Sequence, residues 1–210
     1  MKRNKVSKAT LGRLPKYLKY LQSISLQYIS SATIARDLNL GEVQVRKDLN
    51  QVSGVGKPKI GYLRKDLIAS IEKCLGRENT SNAIIIGAGK LGKALLNYEG
   101  FEEYGIKIIA AFDHKAEAVN EQRKIYSIEF LKQFCEENSV QIGVIAVSSS
   151  SAQEVCNLLI ENNIKAIWNF APINLEVPKN IIFVQENLAL SLAHLNNQLI
   201  NSHGGNNEVR

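Results

Sequence analysis

Apolar positions along the chain follow one period in its first third and another afterwards. Leu14, Leu18 and Leu21 recur at i, i+4, i+7 and predict an amphipathic helix from about Leu11 to Ile24, with Pro15 in its first turn, where a missing N–H costs little. Ser30 and Ser31 offer N-caps to a short helix, SATIARDL, whose Ile34, Ala35 and Leu38 share a face. After the turn Asn39-Leu40-Gly41, GEVQVRKDLN is helical. Val45 and Leu49 point inward, and Gln44, Arg46, Lys47 and Asn50 point outward. GVGKPKIGYL, Gly54 to Leu63, sets three glycines around Lys57-Pro58-Lys59 and predicts a two-stranded hairpin.

From Ala83 onward the pattern becomes short apolar runs alternating with helical segments. The runs are Ala83–Ile86, IKIIAAFD ending at Asp113, Ile142–Val147, AIWNF and IIFVQ. The helices begin with Lys93–Tyr98 and continue with SIEFLKQFCEEN and AQEVCNLLIENN. Alternating strands and helices, with the final strand IIFVQ coming after VPKN, predict a mostly parallel sheet covered on both faces. Last comes NLALSLAHLNNQLI, with Leu188, Leu192, Leu195 and Leu199 at i, i+4, i+7, i+11. Such a stripe either packs on its own domain or pairs with a second subunit.

Charge divides the chain at the same place. Residues 1–78 hold 16 Lys/Arg against 6 Asp/Glu, net +10, whereas 79–210 hold 10 against 14, net −4. The basic end is built for a polyanion, which leaves DNA, RNA and a membrane surface open. Two short helices around a tight turn, the second basic on its outer face, form a helix-turn-helix pattern, though a plain three-helix bundle with a solvated face has the same signature. In the DNA reading Ser31, Gln44, Arg46, Lys47 and Asn50 meet bases and phosphates, and the basic hairpin with Lys57 and Lys59 is a wing that clamps phosphates.

Gly87-Ala88-Gly89-Lys90-Leu91-Gly92 is GxGxxG with a strand before it, a helix after it, and Asp113 lying 21 residues beyond Gly92 at the end of the next strand. The glycines allow a tight turn, close approach of a pyrophosphate and close helix–strand packing. An Asp at that strand end grips ribose hydroxyls and repels a 2′-phosphate, so NAD(H) is the expected cofactor. Ser148-Ser149 and Asn169-Phe170-Ala171-Pro172 follow later strands at the ligand-binding end of the sheet, as site residues or as plain loop caps. A Rossmann body that serves only for dimerisation remains an alternative.

A dehydrogenase is disfavoured, because no His, Lys or Tyr pair falls at the strand ends with catalytic spacing. Cys74, Cys135 and Cys156 are too scattered for a metal site and read as reduced packing residues; the three histidines form no cluster. Neither a secretory signal nor a run long enough to span a membrane is evident, so a cytoplasmic location is expected.

The ordered set KATLGRLPKYLKYL, SSATIARDL, VRKDL, GVGKPKIGY, GAGKLGKALLNYEGF, IIAAFD, the AQ of SSSSAQEV and IKAIWNFAP, closed by the leucine stripe, resembles the Rex family of bacterial redox-sensing transcriptional repressors from about Lys5 to Leu199. The resemblance implies a homodimer with winged-helix heads, Rossmann bodies and swapped C-terminal helices, bound to double-stranded operator DNA and released by NADH. It also implies that Tyr98 lies near the nicotinamide and the interface, and that Arg13 answers cofactor state at the domain junction, with Leu188, Leu192, Leu195 and Leu199 in the dimer. Two positions depart from the family pattern: Asn187 stands where an Asp usually pairs with that arginine, and Val147-Ser148-Ser149 stands where VPA is usual. The stretch after Asp113, HKAEAVNEQRK, lacks the family's glycines.

The expected architecture is α/β: a winged helix-turn-helix over 1–78, a doubly wound Rossmann sheet over 79–186, a dimerisation helix over 187–200 and a disordered tail over 201–210.

Overall fold

The structure is a computed structural model and describes residues 6–114 and 125–204; the stretch after His114 and the tail beyond Gly204 lie outside the described residues. Two compact units form, one from the residues through Ser81 together with Glu99–Lys107, the other from Asn82–Tyr98 and the residues from Ile108 on.

The first unit contains α1 (Lys8–Ser23), β1 (Tyr28–Ile29), α2 (Ser31–Asp37), α3 (Glu42–Ser53), β2 (Tyr62–Leu63) and α4 (Arg64–Cys74). Helix α1 starts earlier than its leucines suggest because Ser7 caps it, accepting from the Thr10 amide at 3.0 Å. Pro15 therefore lies inside the helix, not in its first turn. The roughly 3 kcal/mol cost of an interior proline is met by complete burial of Leu14, Tyr17 and Leu21 around it. Asn39 takes the left-handed conformation, φ 52°, in the turn between α2 and α3, where an asparagine is tolerated. Helix α4, not expected, buries Leu67 and Ile71 against the same core as Val45 and Leu49 of α3.

The wing also departs from expectation. Instead of a two-stranded hairpin within Gly54–Leu63, only its tip closes on itself: Lys57 and Gly61 exchange both backbone hydrogen bonds at 2.8 Å. Tyr62–Leu63 pairs antiparallel with the distant Tyr28–Ile29. Gly61 has φ +84°, and a Cβ there would lie 2.3 Å from the Ile29 carbonyl oxygen, so no other residue fits.

In the second unit a six-stranded sheet is ordered β5-β4-β3-β6-β7-β8, where β3 is Ser81–Ile86, β4 Ile106–Asp113, β5 Ile125–Ser127, β6 Val140–Ile145, β7 Ala166–Asn169 and β8 Ile182–Gln185. The pairs β3/β6, β4/β5, β6/β7 and β7/β8 are all parallel. Helices α5 (Lys90–Leu96), α6 (Leu131–Glu137) and α7 (Ser149–Glu161) connect them. One apolar cluster, with Ile84, Phe112, Ile145, Cys156 and Leu159, and a second, with Ile85, Leu96, Ala111 and Val144, fill its interior. This is the doubly wound order, with its switch point between β3 and β6, where such folds bind ligands. Helix α8 (Leu188–Gly204) is the last described element and takes in four residues, 201–204, of the expected tail.

Candidate functional site

Two sites are assembled, one in each unit. In the first, the start of α2, the outer face of α3 and the wing enclose a groove of about 390 Å³ whose lining includes Ser31, Arg46, Asn50, Lys57 and Lys59. Five residues expected to meet a polyanion thus share one concavity. The Tyr62 hydroxyl donates to Asn50 Oδ1 at 2.9 Å, tying wing to helix. Arg46 lies 3.9 Å from Glu42, a long exposed pair of little energetic weight that leaves the guanidinium available. Gln44 and Lys47 line a different groove, on the α1 side of α3.

That side holds a cluster the sequence reading missed. Asp48 of α3 is 3% exposed and is gripped by Arg13 in a two-pronged ion pair, Nε to Oδ2 and Nη2 to Oδ1, both 2.7 Å. Tyr17 and Thr10 donate their hydroxyls to the same carboxylate at 2.8 Å. Burial pushes the Asp48 carboxyl up, but the bonds from Arg13, Tyr17 and Thr10 outweigh it and hold it below the usual carboxylate range. The Asp48 hydrogen bond makes Arg13 harder still to deprotonate. Burial, reinforced by Asp48, raises Tyr17 to about 12. Within its own unit, then, Arg13 is committed to Asp48.

In the second unit the glycine loop lies at the switch point. Gly87 has φ +101°, and a Cβ on it would lie 2.5 Å from the Ala146 carbonyl oxygen beyond β6. A Cβ on Gly92 would lie 1.8 Å from the Gly87 carbonyl oxygen. Gly89 differs: nothing lies within 4 Å of where its Cβ would be. Two glycines are thus demanded by the protein's own packing, and the third borders open space at the start of α5, which has no side-chain cap. That is the space a pyrophosphate needs. Asp113, at the tip of β4, accepts from the Ala88 amide at 2.7 Å, so the carboxylate stands at the mouth of the loop. Lys90 and Leu91 form the first turn of α5; Tyr98, just beyond it, is largely exposed.

The segment after β7 is shaped by Asn169, which is fully buried. Its amide oxygen accepts from the Ala171 amide at 3.0 Å, and its nitrogen donates to Ala171 O at 3.1 Å and Gln185 Oε1 at 2.8 Å. This clamp sets the path of Phe170-Ala171-Pro172. Phe170 packs on Trp168, centroids 4.4 Å apart, in the apolar cluster that also contains Ala88 of the glycine loop. Ser148 is exposed at the start of α7, hydroxyl to hydroxyl with Ser150 at 2.9 Å. Asn187 accepts from the Ala189 amide at 3.1 Å, in the first turn of α8.

Along α8 Leu188, Leu192, Leu195 and Leu199 are 56–67% exposed, so the stripe is not buried against its own unit. Among the described residues no helix is long and apolar enough to cross a membrane, and no His, Cys, Asp and Glu group is placed to hold a metal. The three free thiols are all pushed up by burial, in keeping with packing roles.

Residues 5–50 match the family model described as "Putative DNA-binding protein N-terminus", and residues 78–173 match the one described as "CoA binding domain". The redox-sensing transcriptional repressor Rex of Clostridium perfringens is 39% identical over 200 residues, covering 92% of this chain and 94% of that protein. The Rex of Treponema denticola is 41% identical over 202 residues, covering 93% and 96%. The chain belongs to the Rex family. Among solved structures, the Rex-family repressor RSP in complex with β-NAD+ and operator DNA superposes with a TM-score of 0.76 at 32% identity, covering 97% of this chain and 99% of that one. RSP with β-NADH gives 0.71 at the same identity, covering 95% and 97%. The expectation of a regulator rather than an enzyme agrees with the repressor names of these Rex relatives.

Proposed function

We propose that the chain is a transcriptional repressor that binds operator DNA through its winged unit and loosens that grip when its Rossmann unit takes up NADH. The observation that carries this reading is the pairing, in one Rex-family chain, of a basic α3–wing groove with a switch-point glycine loop left open at Gly89 alone. Arg46, Lys57 and Lys59 neutralise phosphates, while Ser31, Gln44, Lys47 and Asn50 work at base edges and the adjoining backbone. Gly87–Gly92 cradles the pyrophosphate through backbone amides, and Asp113 holds the adenosine ribose. Coenzyme A, suggested by one family-model description, carries a phosphate on that ribose, which Asp113 would repel.

Ser148 and Phe170-Ala171-Pro172 would border the nicotinamide, with Tyr98 near it. Bound NAD(H) supplies a ring that is cationic when oxidised and neutral when reduced. The chain works as a cytoplasmic homodimer in which α8, with Leu188, Leu192, Leu195 and Leu199, covers its stripe on a second copy. Arg13 and Asn187 are the residues assigned to the cofactor response, and a neutral Asn offers a weaker bond than a carboxylate. A ligand moves a two-state dimer only through different affinity for the two states.

The test is anisotropy of a labelled palindromic duplex with the full-length protein. NADH is expected to raise the dissociation constant and NAD+ to leave it unchanged or lower it. If neither nucleotide changes it while duplex binding persists, the Rossmann unit is a dimerisation body only.

A further inference from the structure

The Asp48 cluster reaches the outer surface of the recognition helix through one side chain. Gln44 is the third residue of α3 and is exposed, in the turn that brings side chains to base edges in helix-turn-helix proteins. Its amide faces Arg13, and a guanidinium has donors only. In the amide orientation that suits those donors, Gln44 turns its oxygen inward, 3.1 Å from Arg13 Nη1, which Asp48 does not engage, and 2.8 Å from Nε, whose single hydrogen goes to Asp48. Arg13 cannot swing away cheaply, because its Nε and Nη2 are fixed on a carboxylate that is itself buried and bound by Thr10 and Tyr17.

An unconstrained glutamine reads adenine with both ends of its amide, donating to N7 and accepting from the N6 amine. With its oxygen committed, Gln44 has only its NH2 group to offer. That group matches base edges bearing a keto oxygen, guanine O6 with N7 or thymine O4. It faces donor against donor at the amines of adenine and cytosine, so adenine keeps only its N7 acceptor, beside that amine, and cytosine has no acceptor to offer.

We infer that Arg13, braced by Asp48, is a positioning residue for sequence readout: it locks Gln44 as a donor-only reader that selects keto bases over amino bases at one position of each half-site. The inference rests on the proposed DNA-binding role and deepens it. Its reach extends past Arg13 as an element of cofactor response, since the lock lies wholly within the winged unit.

The test is selection by the full-length protein from a palindromic duplex library randomised across the major-groove positions, repeated with Gln44→Met and Arg13→Met. The wild type is expected to favour G or T over A and C at one symmetry-related position by roughly fivefold to tenfold, the scale of one base-edge hydrogen bond. Gln44→Met should flatten that position alone, leaving the Arg13–Asp48 pair untouched. Arg13→Met frees the amide and should admit adenine there. Gln44→Met is informative even if loss of the arginine unfolds the unit. If Gln44→Met leaves every position unchanged, or if the preference it erases is for adenine, the lock is refuted. So it is if a folded Arg13→Met keeps the wild-type preference. A wild type that binds duplex with no sequence preference would overturn the proposed function itself, a result distinct from selective binding that ignores Gln44.

Discussion

Replacing Gly89 by valine separates folding from cofactor binding, because the three glycines of the loop answer to different neighbours. Gly89 has φ −68° and ψ −167°, backbone that any residue adopts, and its Cβ would meet nothing within 4 Å. The cost to the fold is that of a poor residue at the start of α5, about 1 kcal/mol or less. For a dinucleotide the same side chain fills the approach to the loop amides. Losing two charge-assisted hydrogen bonds to the pyrophosphate, at about 1.5–3 kcal/mol each, weakens binding by roughly 10²–10⁴-fold. Gly92→Ala is the contrasting change, since its Cβ would sit 1.8 Å from the Gly87 carbonyl oxygen. The turn must open, at a cost of about 1–3 kcal/mol or more. Thermal melts followed by circular dichroism, NADH titration by fluorescence and nucleotide-free operator binding give the three readouts. Gly89→Val should melt near the wild type, lose NADH and keep the duplex, whereas Gly92→Ala should melt lower. Wild-type NADH affinity in Gly89→Val would refute the assignment of that open space to the pyrophosphate, as would loss of duplex binding with an unchanged melt.

Other expectations follow from the same geometry. Asp48→Ala strands Arg13, Tyr17 and Thr10 around a lost carboxylate and should destabilise the winged unit by about 3–5 kcal/mol in urea unfolding; a change under about 1 kcal/mol contradicts the cluster's role. The Asp48 carboxyl titrates below its unfolded value near 3.9, so its stabilisation is present above that pH and fades as pH falls toward the folded value. Asp48→Asn should flatten that acid limb, and an unaltered limb between about pH 5 and pH 2 counts against it. Lys57→Ala should weaken binding to all duplexes alike and lower the slope of log K against log salt by about one; a sequence-dependent loss would place Lys57 on bases. Leu192→Glu on the exposed stripe should shift the protein toward monomer in sedimentation, and an unchanged dimer would remove α8 from the interface.

The periodic parts of this fold are legible in the residues. The apolar runs at Ala83–Ile86, Ile106–Asp113 and Ala166–Asn169 lie in strands, and GxGxxG follows a strand and opens a helix, which begins within the motif at Lys90 rather than at the expected Lys93. Helix α4 was equally readable, since Leu67 and Ile71 have helical spacing and Leu75 repeats it. The wing was not, because two-residue strands have no periodicity and Tyr62–Leu63 finds its partner more than thirty residues away. Strand β5, three residues long, fails for the same reason. Asp48 had a signal that went unused: it lies three residues after the buried Val45, on the inward face of α3, and an acid there demands donors. Thr10, Arg13 and Tyr17 supply them from one face of α1. The motif itself sets Gly89, its second glycine, apart as the one left for a pyrophosphate; the packing adds that, of the three, only Gly89 has nothing within 4 Å of its Cβ position.

The most direct test of cofactor-controlled repression is the affinity for NADH with and without saturating operator duplex, measured by titration calorimetry on the full-length protein. Linkage requires that, if NADH weakens the operator by some factor, the operator weakens NADH by the same factor. A loss of NADH affinity matching the loss of operator affinity, with NAD+ unaffected or strengthened, is the predicted result. Identical NADH affinity in the presence and absence of the duplex would contradict the account.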